Sequence, residues 1–277
     1  MLPTNLEGPV AGVSRSAGVQ LAGTARSLAS GLHAWLLPAA SGIFLLALWQ
    51  FIVVFARPLP TILPAPGSVA IEVLQQAGQL AAHAVPTGLQ ALAGLALAVV
   101  VGVASAVILT TSRLAREAVY PLLLAFQIIP KVALIPVFVL WFGIDAESRI
   151  IYTMFISFFP ISLATIAGLG SADAGSLRLC RALRATRFQT FTQVSVPYAL
   201  PHFFAGLKIA ATMAMIGIVV AEFISARQGL GYLILTGASK LDTAFVLAAI
   251  AILCVEGLLL FGTVALIEKV VRNRFAL

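Results

Sequence analysis

Long apolar stretches separated by short polar ones run along the chain. Four stretches contain no Asp, Glu, Lys or Arg: 27–56, 73–112, 150–172 and 188–207. A membrane-spanning helix needs about 20 mainly apolar residues, and these stretches lack the polar–apolar alternation of membrane-barrel strands. We therefore predict an all-α membrane protein. Its six spans are expected at about 34–55, 86–110, 117–141, 148–170, 203–224 and 243–267.

The composition supports this prediction. Of 277 residues, 61% are hydrophobic and only 10% are charged, whereas a soluble domain usually has about a quarter charged residues. Residues 34–277 are predicted to form one transmembrane domain. Residues 1–33, rich in Gly, Ala and Ser, are predicted to be a loose cytoplasmic segment, with a cleaved signal peptide as the alternative.

The net charge of +7 is distributed unevenly about these spans. With a cytoplasmic N-terminus, six spans place both termini and the 111–116 and 171–202 loops inside. The cations on that side are Arg15, Arg26, Arg113, Arg116, Arg178, Arg181, Arg184, Arg187, Lys269, Arg272 and Arg274, against Arg57, Arg149, Arg227 and Lys240 outside. Positive charge favours the cytoplasmic side, so the basic balance indicates topology rather than nucleic-acid binding.

Several positions inside the spans suggest packing or function. Gly94, Gly102 and Ala106 are separated by multiples of four residues, a spacing that lets membrane helices approach closely. Pro130 is predicted to kink the third span, and Lys131 follows at mid-membrane depth. Such a lysine either belongs to a pathway or hinge, or reaches out to the interface or is neutralised by a neighbouring carboxylate.

Two acidic residues and one polar segment complete the pattern. Glu222 and Glu256 lie in the last two predicted spans, and each is expected to be able to pair with Lys131. After the first span, four prolines favour extended backbone. Ser68 is then predicted to cap a short interfacial helix that carries Glu72.

The most distinctive segment follows the fourth predicted span. An apolar stripe and a cationic stripe each recur every three residues, the first formed by Leu177, Cys180 and Leu183, the second by Arg178, Arg181 and Arg184. A turn at 185–186 precedes a second helical run, which the prolines at 197 and 201 end. This pattern predicts a helix, a turn and a helix. An amphipathic helix of this kind fits either a groove on a partner protein or an anionic lipid surface, and the periodicity does not choose between them.

Motifs in this segment and elsewhere resemble a known family. FQTF at 188–191, Val194, VP at 196–197, ALP at 199–201 and GL at 206–207 are similar to the coupling loop of permease subunits in bacterial ATP-binding-cassette importers. LPAP at 63–66, IPKVALIP at 129–136, LWFG at 140–143, AEF at 221–223 and GLGY at 229–232 resemble the nitrate, sulfonate and taurine branch. The resemblance runs from about 40 to 270.

The first half of the loop departs from the family pattern. Arg178, Leu179 and Cys180 stand where the family has Glu-Ala-Ala, and Arg184 stands where it has Gly. Glycine tolerates positive φ, so an arginine there would cost roughly 1 kcal/mol or require another turn geometry. Either the partner that binds this loop has acidic residues around its groove, or the loop couples poorly. We favour the adapted partner because the helix remains amphipathic.

The resemblance implies a type I importer permease of the bacterial inner membrane, working by alternating access with a cytoplasmic coupling helix. Its implied partners are a separate ATPase, a solute-binding protein, a second permease copy and membrane lipid. The solute would be a nitrate-, sulfonate- or taurine-like anion or a small heterocycle. The implied pathway or gate residues are Gln127, Lys131 and Glu222. The implied ATPase-docking residues are Leu177, Arg178, Cys180, Arg181, Leu183, Arg184, Ala185 and Thr186.

Motifs for catalysis are missing from the sequence. None of the four lysines follows a glycine, so the phosphate-binding loop G-x-x-x-x-G-K-[ST] is absent. We predict no enzyme activity and no cofactor, with ATP used by the partner subunit. His33, His83 and His202 lack metal-ligand spacing, and Cys180 and Cys254 suit neither a metal site nor a disulfide. The alternatives are a secondary transporter driven by an ion gradient and a membrane anchor or assembly factor.

Overall fold

The computed structural model describes residues 36–225 and 227–275, which form helices and short connections with no strand among them. The predicted loose segment 1–33 lies outside these residues. In chain order the helices are α1 (Leu36–Ala56), α2 (Pro66–Gln75), α3 (Ala77–Thr111), α4 (Arg113–Ile128), α5 (Ile135–Phe142), α6 (Ala146–Leu169), α7 (Ala174–Ala182), α8 (Arg187–Thr190), α9 (Val196–Ser225), α10 (Leu230–Ser239) and α11 (Thr243–Phe275). A 3-10 turn (Lys131–Leu134) precedes α5, and a π-helical turn (Phe191–Ser195) joins α8 to α9.

The described residues divide into two compact units, one up to Leu59 and one from Pro60 onwards. In the first unit the structure describes α1 and the few residues after it. This helix has 21 residues and a mean hydropathy of 2.2, enough to cross a bilayer because each residue adds about 1.5 Å. The second unit contains the remaining helices.

Five helices are long and apolar enough to span a membrane, and the bent pair of α4 with the 3-10 turn and α5 makes a sixth span possible. The predicted six spans agree with this count. The third differs from a single kinked helix, because its two halves meet at 96°. Pro130 provides no N–H and adopts an extended conformation, so the helix ends at Ile128 and restarts beyond it.

The core of the second unit forms where α6 packs between α3 and α9. Small residues allow the close approach: a Cβ atom on Gly94 would lie 2.6 Å from a Thr153 methyl carbon, and one on Gly102 would lie 2.9 Å from Ile161. Ala106 is fully buried on the same face of α3. The predicted packing role of these small residues is therefore confirmed.

The start of α2 differs from the prediction. The helix begins at Pro66, and Ala65 occupies the position before it, without a side-chain cap. The fixed φ of proline suits the first helical turn, so the helix starts before Ser68 and the predicted Ser68 cap is wrong. Glu72 does lie within this short helix, as expected.

Candidate functional site

The segment between α6 and α9 forms a helical elbow, which we define as residues 173–195. The Asp173 carboxylate accepts a hydrogen bond from the Ser176 N–H (3.0 Å) and so caps α7. The Thr186 hydroxyl accepts from the Gln189 N–H (3.2 Å), while the Gln189 side chain accepts from the Thr186 N–H (2.8 Å). These two bonds form a capping box at the start of α8. The predicted helix, turn and helix are confirmed, but the prolines at 197 and 201 do not end the second helical run, which continues into α9 as one stretch.

The turn of the elbow passes through a left-handed residue. Arg184 has φ +53°, a conformation that costs a side-chain-bearing residue roughly 1 kcal/mol and costs glycine almost nothing. The Ala185 N–H then donates to the Cys180 carbonyl oxygen (2.9 Å), which closes the end of α7. The arginine therefore adopts the strained geometry instead of avoiding it.

The faces of α7 differ from the predicted apolar stripe. Leu177 and Cys180 are half-buried against the protein. Leu179 and Leu183 are 60% and 72% exposed, and residues four apart lie on the same side of a helix. The exposed apolar pair of α7 is thus Leu179 and Leu183. The predicted stripe follows a three-residue step and therefore leaves out Leu179. This residue lies four positions before Leu183 and so on the same side of the helix.

The arginines of the elbow have no carboxylate partner among the described residues, where the ion pairs are Arg113–Glu117 and Lys208–Glu268. Arg178 and Arg184 are exposed beside the Leu179–Leu183 pair. Arg181 donates from its Nε only to the Leu177 carbonyl oxygen within α7 (3.3 Å). The elbow therefore presents unpaired positive charge next to apolar surface.

A polar cluster lies at the other end of α9, around Glu222. The Glu222 side chain is 1% exposed. One carboxylate oxygen accepts from the Thr87 hydroxyl (2.7 Å), and the other accepts from the Gly231 N–H (2.8 Å). Glu222 is thus bound by α3 and α10, and the predicted pairing with Lys131 is wrong.

The same cluster fixes the connection between α9 and α10. The Leu230 N–H donates to the Thr87 hydroxyl (2.9 Å), and the Gly229 N–H donates to His83 Nδ1 (3.0 Å). The His83 ring stacks on Tyr232. We call Thr87, His83, Glu222, Gly229 and Gly231 the turn cluster. Because hydrogen bonds satisfy its buried groups, the cluster holds the turn firmly against α3.

Arg149 supports this turn from α6. Its Nε donates to Gln90 Oε1 (2.9 Å), and one terminal nitrogen donates to the carbonyl oxygens of Ile144 (3.1 Å) and Ser225 (3.3 Å). The guanidinium is buried. Arg149 is predicted from the sequence to be one of the outer cations, and nothing in the local pattern indicates this role. Its position at the edge of a charge-free stretch is equally typical of an interfacial loop residue.

The predicted pathway residues are not brought into contact with one another. Lys131 lies in the 3-10 turn with Nζ 5.0 Å from the centre of the Phe159 ring, and its carbonyl oxygen accepts from the Tyr152 hydroxyl (3.4 Å). Gln127 is exposed near the end of α4. Glu256 faces Gly88 of α3, so its predicted pairing with Lys131 is also wrong.

The histidines and cysteines have separate environments. His83 belongs to the turn cluster, His202 is exposed in α9, and His33 lies outside the described residues. Cys180 and Cys254 are free thiols. Within residues 36–225 and 227–275, no group of three His, Cys, Asp or Glu side chains is placed to hold a metal ion.

Comparison with known proteins identifies the family. The model of binding-protein-dependent transport system inner membrane components matches residues 94–273. The chain belongs to this family. It is 35% identical to the formylaminopyrimidine transport permease protein of Halalkalibacterium halodurans over 82% of this chain and 91% of that protein. It is 30% identical to a putative aliphatic sulfonates transport permease protein of Bacillus subtilis, over 84% of each chain.

A third relative is the taurine transport system permease protein of Escherichia coli, which is 29% identical over 78% of this chain and 81% of that protein. This permease is thus a non-enzymatic, multi-pass bacterial membrane protein of the importer type that its motifs resemble. The family match includes the elbow, α9 and the turn that follows it. The AEF and GLGY motifs of the resemblance are the parts of the chain that contribute Glu222, Gly229 and Gly231 to the turn cluster.

Proposed function

We propose that this permease moves a small anionic or heterocyclic solute inward by alternating access, and that a separate ATPase drives it through the elbow. The observation that carries this proposal is the exposed Leu179–Leu183 pair, flanked by the unpaired charges of Arg178 and Arg184. Exposed apolar side chains at a helical four-residue step fit a groove on a partner protein. The ATPase would provide that groove with an acidic rim.

We keep the predicted docking residues as a proposal and add Leu179 to the apolar contact. Leu179 and Leu183 form the apolar contact, with Arg178 and Arg184 beside them. Leu177, Cys180 and Ala185 are half-buried and stabilise the elbow from inside. Thr186 caps α8, so its part is to hold the shape that the ATPase binds.

The elbow is continuous with a long membrane helix. From Arg187 to Ser225 the chain forms one helical stretch of 39 residues, about 58 Å at 1.5 Å per residue. The elbow is at one end of this stretch and Glu222 is near the other. A displacement of the elbow would therefore move the turn cluster as part of the same body, as alternating access requires.

The solute class rests on the relatives. Those described above are named for transport of formylaminopyrimidine, aliphatic sulfonates and taurine. We infer a solute of similar size, delivered by a solute-binding protein to a pathway formed by two copies of this permease. Gln127, Lys131 and Glu222 stay as proposed pathway or gate residues, with Glu222 acting through the turn that it holds. ATP would be used by the partner, and this chain would need no cofactor.

The proposal also requires both termini and the elbow to be cytoplasmic, which the positive-inside distribution favours. A cysteine introduced as Arg178→Cys in a Cys180→Ser background tests this. It should react with a membrane-impermeant maleimide in inside-out vesicles and stay unlabelled in intact cells. Labelling from outside intact cells would contradict the proposed orientation.

The docking proposal is tested by Leu183→Asp, which puts a charge into the apolar contact. Co-purification of the ATPase should be lost, because a desolvated unpaired carboxylate costs several kcal/mol. Leu241→Asp is the matched control, since Leu241 is 70% exposed beyond α10, away from the elbow. Unchanged co-purification with Leu183→Asp would reject the docking face. Solute uptake into vesicles without nucleotide would instead favour the ion-gradient transporter.

A further inference from the structure

A groove of about 650 Å³ lies between the end of α3 and the elbow. Its apolar wall contains Val107 of α3 together with Phe188 and Phe191 of the elbow, and its polar wall contains Arg181 and Arg187. No carboxylate lines it. The groove therefore combines apolar surface with two positive charges.

The position of the groove relative to the spans is informative. Thr111, the last residue of the spanning helix α3, lines one end, and Ser195, the residue before α9, lines another part. The groove therefore lies where α3 ends and near the start of the helical stretch Arg187–Ser225. Arginines near the ends of membrane helices reach the interface, where lipid headgroups lie, which favours headgroup height for a groove lined by Arg181 and Arg187.

The two arginines are the charged donors of the groove. The Thr111 hydroxyl donates to the Val107 carbonyl oxygen (2.7 Å), and the Thr190 hydroxyl donates to the Thr186 carbonyl oxygen (3.1 Å), so both are used within their own helices. Arg181 and Arg187 have no carboxylate partner among the residues that the structure describes. Guanidinium groups bind phosphate oxygens with paired hydrogen bonds.

We propose that this groove binds one anionic phospholipid of the leaflet on the elbow side. Its phosphate contacts Arg181 and Arg187, and an acyl chain follows Val107, Phe188 and Phe191. Basic pockets between membrane helices on the cytoplasmic side bind lipid headgroups in this way. The apolar wall distinguishes a lipid from free phosphate, which would not use it.

This lipid has a consequence for the elbow. It would join α3 to α8 across the groove, while the Leu179–Leu183 pair on the other side of α7 stays free for the ATPase. Arg181 is then a lipid ligand and not part of the docking contact. The lipid proposal and the ATPase proposal therefore use different side chains and can fail independently.

The test measures retained lipid on the full-length permease. The protein is purified in detergent from a membrane of phosphatidylglycerol and phosphatidylcholine, and bound lipid is identified by native mass spectrometry. The double variant Arg181→Gln/Arg187→Gln should lose retained phosphatidylglycerol more than tenfold, since each surface cation contributes about fivefold to binding of an anionic lipid. The matched control is Arg178→Gln/Arg184→Gln, which removes the same charge from the same elbow and should keep the lipid within about twofold, because neither arginine lines the groove and exposed charges away from the bound group are screened.

A steric variant separates lipid from free phosphate. Val107→Trp fills the apolar wall and leaves both arginines in place. It should reduce phosphatidylglycerol retention, while inorganic phosphate should still displace the remaining lipid at the same phosphate concentration as in the unchanged protein. Equal losses in both double variants would indicate general surface electrostatics and overturn the proposal. So would loss of ATPase co-purification from Arg181→Gln/Arg187→Gln with unchanged lipid, because the groove would then belong to the ATPase.

Discussion

Thr87 and Glu222 are 135 positions apart in the chain and share a buried hydrogen bond of 2.7 Å. The same Thr87 oxygen accepts the Leu230 N–H (2.9 Å), so one hydroxyl connects α3 to the end of α9 and the start of α10. Each partner has few alternatives, since Thr87, Glu222 and Leu230 are all buried away from water. This hydroxyl therefore determines whether the turn between α9 and α10 stays ordered.

Replacing Thr87 with Val keeps the shape of the side chain and removes the hydroxyl. Glu222 and the Leu230 N–H each lose a partner while buried, which should destabilise the fold by about 1–3 kcal/mol. The melting temperature in detergent micelles measures this. Thr110→Val is the control, because the Thr110 hydroxyl donates only to carbonyl oxygens of its own helix. Equal melting temperatures for the two variants would contradict the role of Thr87.

Gly229 is expected to be intolerant of any side chain. It has φ +115°, and an added Cβ would lie 2.2 Å from a Glu222 carboxylate oxygen. Backbone strain and overpacking together should cost roughly 3 kcal/mol or more for Gly229→Ala, with loss of solute uptake. Gly78→Ala is the matched control, since nothing lies within 4 Å of its added Cβ. That change in α3 should be neutral or stabilising by about 0.5 kcal/mol. A Gly229→Ala protein with normal stability and uptake would contradict the clash.

The spans and the elbow could be predicted from the sequence because local patterns encode them. A charge-free stretch has few alternatives to a membrane helix, and the helical steps in 176–194 predict two helical runs with a break between them. Proline was informative at Pro130, where the helix does end. It was less so at Pro86 and Pro201, which lie inside α3 and α9. The predicted spans therefore begin too late, at about 86 where α3 begins at Ala77 and at about 203 where α9 begins at Val196.

The turn cluster could not be predicted because its contacts join distant parts of the chain. Glu222 and Lys131 had complementary charges and similar predicted depths, and the sequence contains no information on which helix faces which. In the structure the Lys131 ammonium lies over the Phe159 ring, and the Glu222 carboxylate accepts a hydrogen bond from the Thr87 hydroxyl. Thr87 and Gln90 are ordinary polar residues in a span, and only their partners reveal their role. The same limit applies to Leu179, whose exposure depends on how α7 packs.

The ion pair between Lys208 and Glu268 should stabilise the contact of α9 with α11. Its side chains are only 31% and 15% exposed, so Glu268→Gln leaves a poorly solvated ammonium and should cost about 1–3 kcal/mol. The double variant Lys208→Met/Glu268→Leu should lose less than the sum of the single changes. The exposed pair Arg113–Glu117, at 91% and 63%, is the control, and Glu117→Gln should cost at most about 0.5 kcal/mol. Equal losses in both single variants, measured by thermal unfolding, would contradict this difference.

Replacing arginine with glycine should stabilise the elbow at Arg184 and destabilise it at Arg178. Arg184 has φ +53°, so Arg184→Gly removes strain and should stabilise the elbow by roughly 1 kcal/mol. Arg178 lies inside α7, where Arg178→Gly should destabilise by about 0.5–1 kcal/mol. Both variants lose one exposed charge, so electrostatics alone would shift them equally. Hydrogen exchange of the elbow amides measures the local effect. Faster exchange in Arg184→Gly would show that the arginine contributes contacts that outweigh its backbone strain.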